Sequence, residues 1–190
     1  MKVKKIALFA SGSGTNVQNI VEYFSENKEI VVDSVWTNNP DAYVLERAKK
    51  YNIDSFVFNR NEFRNTTQVV DELISRGVDL VVLAGFLWLI PESLIHNFRI
   101  INIHPALLPK YGGKGMYGMN VHRAVLENKE SESGITIHEV NEKYDEGKIL
   151  FQSRVNVTPD DTPETVARKV HELEYKYFPG VIENVLKGEL

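Results

Sequence analysis

The sequence predicts an α/β fold: a Rossmann-like, mostly parallel central sheet with helices on both faces and an antiparallel edge. Three observations lead there. Short runs rich in Val, Ile and Leu alternate with segments whose apolar residues recur at steps of three and four, the rhythm of βαβ units. The runs are apolar throughout, so the strands they form are covered on both faces. Past residue 130 the pattern changes to period-two alternation, which suits strands of a mixed or antiparallel edge.

The elements follow in order. "KKIALFA" is a buried strand closed by Gly and Ser. "TNVQNIVEYFSENKE" is a helix with Val17, Ile20, Val21 and Phe24 on one face. "IVVDSVWTN" is a second strand. "NPDAYVLERAKKYN" reads as a helix with Asn39 as N-cap and Pro40 in the first turn. "DSFVFN" is a third strand, and "NEFRNTTQVVDELISRG" one helix closed by Gly77. "VDLVVLAGF" is the most apolar strand. A short helix "PESLIHN", a strand "RIINIH" and a Gly-rich loop from Pro105 to Gly118 come next. A helix "NVHRAVLENKE", two strands "SGITIHEVN" and "KILFQSRVNV", and one or two helices interrupted near Pro179 complete a single domain over residues 1–190.

Composition narrows the function classes. Hydrophobic residues make up 43% and charged residues 25%, as in ordinary globular chains. The net charge of −4 argues against a nucleic-acid partner. There is no cysteine, which removes disulfide and thiol chemistry. No run has the roughly 18 apolar residues of a membrane span, and no signal peptide is expected, so the expectation is a cytoplasmic protein with no membrane partner.

"SGSGTN" joins the first strand to the first helix. Gly12 and Gly14 permit positive φ and outward-facing N–H groups, and the helix start at Thr15–Asn16 adds a positive dipole end. That combination suits a phosphate; the plainer reading is a tight turn with a cap. The loop lacks the Gly-Lys-Ser/Thr ending of a P-loop, and Val17 stands where a dinucleotide fingerprint has its third glycine. A Cβ at position 14 is expected to block the approach of a phosphate while leaving the fold intact.

Asn102 and His104 lie two apart on one strand and therefore share a face. Two polar groups at the C-terminal end of a strand in an open α/β sheet stand where ligands bind. An amide N–H and an imidazolium suit acyl transfer, by oxyanion stabilisation and proton transfer. A carboxylate is needed beside the histidine. Asp145, in the turn "YDEGK" that Gly147 helps to close, is a candidate beside Glu142, Glu146, Asp160 and Asp161. Such a carboxylate is expected to raise the pKa of His104. His96, His122, His138 and His171 have no metal-ligand spacing, so no metal is expected.

"SGSGTN", "LAGF", "INIHPALLPKY" and "DEG" occur in the order found in the folate-dependent formyltransferases, and the resemblance runs from Val3 to about Leu186. "NIHPALLP" is similar to the group as a whole, and "SGSGTN" to the branch acting on glycinamide ribonucleotide. The resemblance implies 10-formyltetrahydrofolate as co-substrate, glycinamide ribonucleotide as acceptor, and direct transfer without a covalent enzyme intermediate. It implies a phosphate-binding half at about 1–100 and a catalytic and folate half at about 83–190. Neither the added C-terminal domain of the tRNA-directed relative nor the added N-terminal domain of the hydrolase relative is expected.

Residue roles carry over by position. Gly14, Thr15 and Asn16 match the phosphate loop; Asn102, His104 and Asp145 match the catalytic trio. Glu174 matches a ribose ligand, with His171 near the phosphate. Phe86, Leu87, Trp88, Leu89 and Ile90 match the folate-lining segment, together with Asn102, and Arg64 is the nearest match to an arginine of the third helix. The Leu108–Pro109 bond resembles a cis peptide of the family. Three departures stand out: Trp88 replaces an arginine and is expected to point away from the folate, "KYGGKGMYGMN" is longer and richer in Gly and Met than its counterpart, and the family's arginine early in the third helix has no clean match. Alternatives are a formyltransferase acting on an amino sugar nucleotide and a non-catalytic nucleotide-binding module. Assembly into a homodimer is left open.

Overall fold

The computed structural model describes residues 2–190. Seven strands form one sheet in the order β3-β2-β1-β4-β5-β6-β7. Strands β1 (Lys4–Phe9), β2 (Ile30–Thr37), β3 (Asp54–Val57), β4 (Leu80–Leu83) and β5 (Ile100–His104) are parallel to one another; β6 (Glu132–Glu139) pairs antiparallel with β5, and β7 (Ile149–Asn156) antiparallel with β6. The parallel body and antiparallel edge are those the sequence predicts.

Alternation along the strands divides the core in two. Ile6 and Leu8 of β1, Val82 of β4 and Ile101 and Ile103 of β5 face one side. Helices α1 (Thr15–Phe24), α2 (Val44–Lys50), α6 (Met119–Glu127) and α7 (Pro163–Lys187) cover it. Ala7, Phe9, Val81 and Ile100 face the other side, covered by α3 (Arg60–Arg64), α4 (Gln68–Arg76) and α5 (Glu92–Asn97). By parity Asn102 and His104 belong to this second side, beyond its last apolar neighbour Ile100. A two-sided apolar sheet thus ends in a polar pair at the C-terminal edge of β5.

Several boundaries differ from the sequence reading. The first helix stops at Phe24, because the Asn27 side chain accepts from the N–H groups of Glu29 and Ile30 and turns the chain into β2. Asn39 is not a helix cap: its side chain accepts from Asp41 N–H in a local turn, and α2 starts at Val44. The third helix is two. Asn59 and Glu62 form a capping box that starts α3, while the Thr66 hydroxyl donates to the Glu62 carbonyl and the chain restarts at α4.

The closing helix is continuous for 25 residues despite Pro179. A proline inside a helix leaves the carbonyl four residues back without its N–H. That carbonyl belongs to Tyr175, and Asn19 Nδ2 of α1 donates to it at 3.0 Å. The neighbouring helix supplies the missing donor. Among the described residues no helix is long and apolar enough to cross a membrane.

Asn19→Ala should lower the unfolding free energy by about 1 kcal/mol, the usual size of one hydrogen bond. In a Pro179→Ala background the helix regains its own donor, so the same substitution should cost less; urea unfolding of the four proteins measures the difference. Equal costs in both backgrounds would mean that Asn19 does not serve the proline.

Candidate active site

A cavity of about 680 Å³ opens at the C-terminal ends of β1, β4 and β5. Its lining includes Gly14, Thr15 and Asn16 at one end, Asn102, His104 and Asp145 in the middle, and Phe86–Ile90 at the other end; His171 and Glu174 line it as well. Every site residue picked from the sequence is there except Arg64. Its side chain is exposed outside, 3.5 Å from the Leu89 carbonyl, and Arg60, one helical turn earlier, lines the cavity instead.

The glycine loop meets α1 at Gly14, which caps the helix in the left-handed conformation with φ 71. No side chain caps this helix and no acidic residue lies in its first turn, so its positive end remains open to an anion. The need for glycine has a different origin from the one expected. A Cβ on residue 14 would point at Val44, 2.4 Å from its Cγ2 and 3.1 Å from its backbone, so packing and backbone conformation both demand glycine there. Gly12 has no positive φ, and a Cβ there meets nothing within 4 Å.

Beside the loop, the Glu174 carboxylate is 4% exposed and takes two donors on one oxygen. Asn16 Nδ2 donates from 2.8 Å, and His171 Nδ1 lies 2.7 Å away. Glu174 accordingly raises the pKa of His171. Two buried polar atoms here have no protein partner, Asn16 Oδ1 and His122 Nδ1. In the sequence His122 is one more histidine without ligand spacing. It is buried against the cavity, and burial, followed by the charge of His171, depresses its pKa to about 4. A buried acceptor and a buried imidazole without partners, beside a carboxylate, form a surface for hydroxyl groups.

In the middle of the cavity three segments converge on Asp145. Its Oδ1 lies 3.6 Å from His104 Nδ1 and 3.5 Å from His138 Nε2, and its Oδ2 accepts from the Gly113 N–H at 2.9 Å. Burial works against the charge, but His138, His104 and the Gly113 N–H together hold the carboxyl below its ordinary pKa. The turn closes because Gly147 has no side chain; a Cβ there would sit 1.6 Å from the Glu139 carbonyl oxygen. The rival Glu146 is outside, paired with Lys143 at 3.1 Å.

His104 is 4% exposed, and its Nε2 lies 2.7 Å from the Tyr111 carbonyl. A carbonyl only accepts, so Nε2 carries the hydrogen and, in the neutral ring, Nδ1 presents a lone pair toward Asp145. The expected upward shift of His104 is reversed. Burial is the largest influence and lowers its pKa, overriding the opposing effects of Asp145 and the Tyr111 carbonyl. The resting ring is therefore a proton acceptor near neutral pH. Behind it, Thr136 donates to the Ala106 carbonyl and accepts from Leu108 N–H and Gln152, fixing the loop through the cis Leu108–Pro109 bond.

At the far end Ser11 accepts from the Leu87 N–H and ties the first loop to the Phe86–Ile90 segment. Trp88 lines this end of the cavity. Its ring lies 5.8–6.3 Å from those of Phe63, Phe58 and Phe86, with the Arg60 guanidinium 5.6 Å from its centroid. Sequence reasoning missed Arg60, His122 and His138. The signal for His138 was its position in an apolar strand, which the pairing of β5 with β6 sets opposite Asn102. Among the described residues no group of three or more His, Asp or Glu side chains is arranged to hold a metal ion.

The chain is similar to known proteins over nearly all of its length. The pattern of the family "Formyl transferase" matches residues 4–182. The chain is 38% identical to a phosphoribosylglycinamide formyltransferase of Haemophilus influenzae, covering 99% of this chain and 90% of that one. It is 45% identical to a chloroplastic phosphoribosylglycinamide formyltransferase of Arabidopsis thaliana, covering 94% of this chain but spanning 64% of that protein's length. Among solved structures, glycinamide ribonucleotide transformylase 1 of Symbiobacterium toebii superposes with a TM-score of 0.88 at 33% identity, over 98% of this chain and 89% of that one.

Two outcomes are expected from the anion end. Gly14→Ala should destabilise the whole fold by about 2 kcal/mol, through left-handed strain and the clash with Val44; a variant of unchanged melting temperature would refute this account. His122 is depressed in the folded state, so its contribution is present above the unfolded pKa of about 6.5 and lost as pH falls toward 4. His122→Gln should flatten the acid slope of stability by up to about 3 kcal/mol across that window, read by denaturant titration at a series of pH values.

Proposed function

This chain belongs to the formyl transferase family, and from that premise we propose that it transfers a formyl group from 10-formyltetrahydrofolate to the amine of 5-phosphoribosylglycinamide, a step of purine biosynthesis. The observation that carries the reading is the meeting of an amide, a neutral buried histidine and an ionised carboxylate in one cavity with an uncapped helix N-terminus. A nucleotide-binding module has no use for that trio, and an acyl transferase needs each part of it.

The residues divide the work by place. The N-terminus of α1 and the Gly14–Thr15 backbone receive the phosphate, where aligned peptide dipoles favour negative charge. Glu174 and Asn16 Oδ1 accept from ribose hydroxyls. The apolar segment Phe86–Ile90 and the ring of Trp88 suit the flat face of a pteridine. Arg60 at the same end suits the carboxylates of a folate tail.

Chemistry occurs between these ends. The substrate amine attacks the formyl carbon, and Asn102 Nδ2 donates to the oxygen as it becomes negative. His104 accepts the amine proton at Nδ1, and Asp145 stabilises the imidazolium that results. His104 then returns the proton to the departing folate nitrogen. One carbon–nitrogen bond forms, one breaks, and the enzyme ends in its starting protonation state. Neutral resting His104, and not the imidazolium expected from the sequence, fits this order.

The reading is tested by the absorbance change on mixing 10-formyl folate, 5-phosphoribosylglycinamide and protein; no turnover here, with turnover on an amino sugar nucleotide, would replace the acceptor. Asp145→Asn should lower kcat by about 10²–10⁴ while the KM for the ribonucleotide moves much less. It also removes an influence that raises the His104 pKa, so the acid limb of the pH–rate profile should shift to lower pH. Glu146→Gln is the control and should stay near the parent rate, because its carboxylate lies outside the cavity.

A further inference from the structure

His138 is a buried histidine that the mechanism above does not use. It is 2% exposed, and β-sheet register sets it directly opposite Asn102. Its Nδ1 lies 2.8 Å from the Glu139 carbonyl oxygen. A carbonyl only accepts, so Nδ1 carries the hydrogen, and in the neutral ring Nε2 presents a lone pair. Asn102 Nδ2 stands 3.1 Å from that nitrogen.

We propose that His138 is a positioning residue that fixes the side-chain amide of Asn102, so that the free N–H of Asn102 faces the reacting carbonyl oxygen. The inference rests on the proposed reaction. An asparagine amide offers oxygen at one end and nitrogen at the other, and its two orientations are nearly equal in shape. Only the nitrogen end stabilises an oxyanion. The bare Nε2 of His138 selects that end: the amide nitrogen donates to it, whereas the amide oxygen would meet lone pair against lone pair. One N–H is spent on His138, and the second remains for the substrate. The Glu139 carbonyl, fixed in the β6 ladder, holds the tautomer that makes the selection.

Asp145 Oδ1, 3.5 Å from the same Nε2, offers the rival role, in which His138 serves the carboxylate. A double-mutant cycle separates the two. His138→Phe keeps a ring and removes both nitrogens. It should lower kcat by about 10–100-fold, approaching the loss of one oxyanion donor, with the KM for 5-phosphoribosylglycinamide within about 3-fold of the parent. In an Asn102→Ala background the same change should cost less than about 2-fold, because there is no amide left to orient. His138→Gln restores an acceptor oxygen and should recover a large part of the rate. If the phenylalanine variant does not fold, judged by circular dichroism, His138→Gln and His138→Leu are compared in both backgrounds and read in the same way. An unchanged kcat in a folded variant lacking the acceptor overturns the proposal. So does an equal loss with and without Asn102, which would assign His138 to Asp145. Failure of the unsubstituted protein to transfer formyl would instead overturn the reaction on which the inference rests.

Discussion

The ionised carboxylate of Asp145 is the interaction on which the centre of this protein depends. A buried charge is costly unless donors surround it. Here one donor, the Gly113 N–H of the glycine-rich loop, reaches Oδ2, and the imidazoles of His104 in β5 and His138 in β6 stand 3.6 and 3.5 Å from Oδ1. Each approaches one side of the same group, so the carboxylate sets their separation. The glycine-rich stretch acquires a purpose from this. One of its backbone N–H groups turns Oδ2 of Asp145 away from the histidines and leaves Oδ1 facing them. A loop without side chains beyond hydrogen at 112 and 113 can lie against the acid; a Cβ at Gly112 would stand 3.2 Å from the Cβ of Asp145.

The fold was legible because burial on two faces writes itself into composition. Continuous Val, Ile and Leu runs can serve only covered strands, and the pattern placed all seven. Helix ends were less legible, since they were decided by single side chains competing for backbone groups. Asn27, Asn39 and Thr66 each took a local hydrogen bond that a periodicity argument does not see. Pro179 misled in the other direction: its break is repaired by Asn19, a residue 160 positions away that nothing local announces.

The trio of Asn102, His104 and Asp145 was visible as polar residues standing where apolar ones belong, supported by resemblance of motifs. Its electrostatics were not visible. Sequence gives the partner of His104 but not the depth of its burial, and depth is the stronger influence. His138 escaped notice for a related reason. Alone in β6 it resembles any core histidine, and only strand pairing makes it the neighbour of Asn102. Trp88 shows the same limit at the other end, because its direction is set by a cluster of rings contributed from three separate stretches.

The contact between Asn16 and Glu174 spans 158 positions and joins the first helix to the last. During synthesis the chain emerges at roughly 5–20 residues per second, N-terminal parts first. The glycine loop, the aromatic cluster and β5 can therefore be in place well before the Glu174 carboxylate has been made. A nascent chain can assemble much of the sheet and still lack one wall of the cavity. The cavity is complete only when α7 docks, so a ribosome stalled late in the message would carry a folded body with that cavity open on one side.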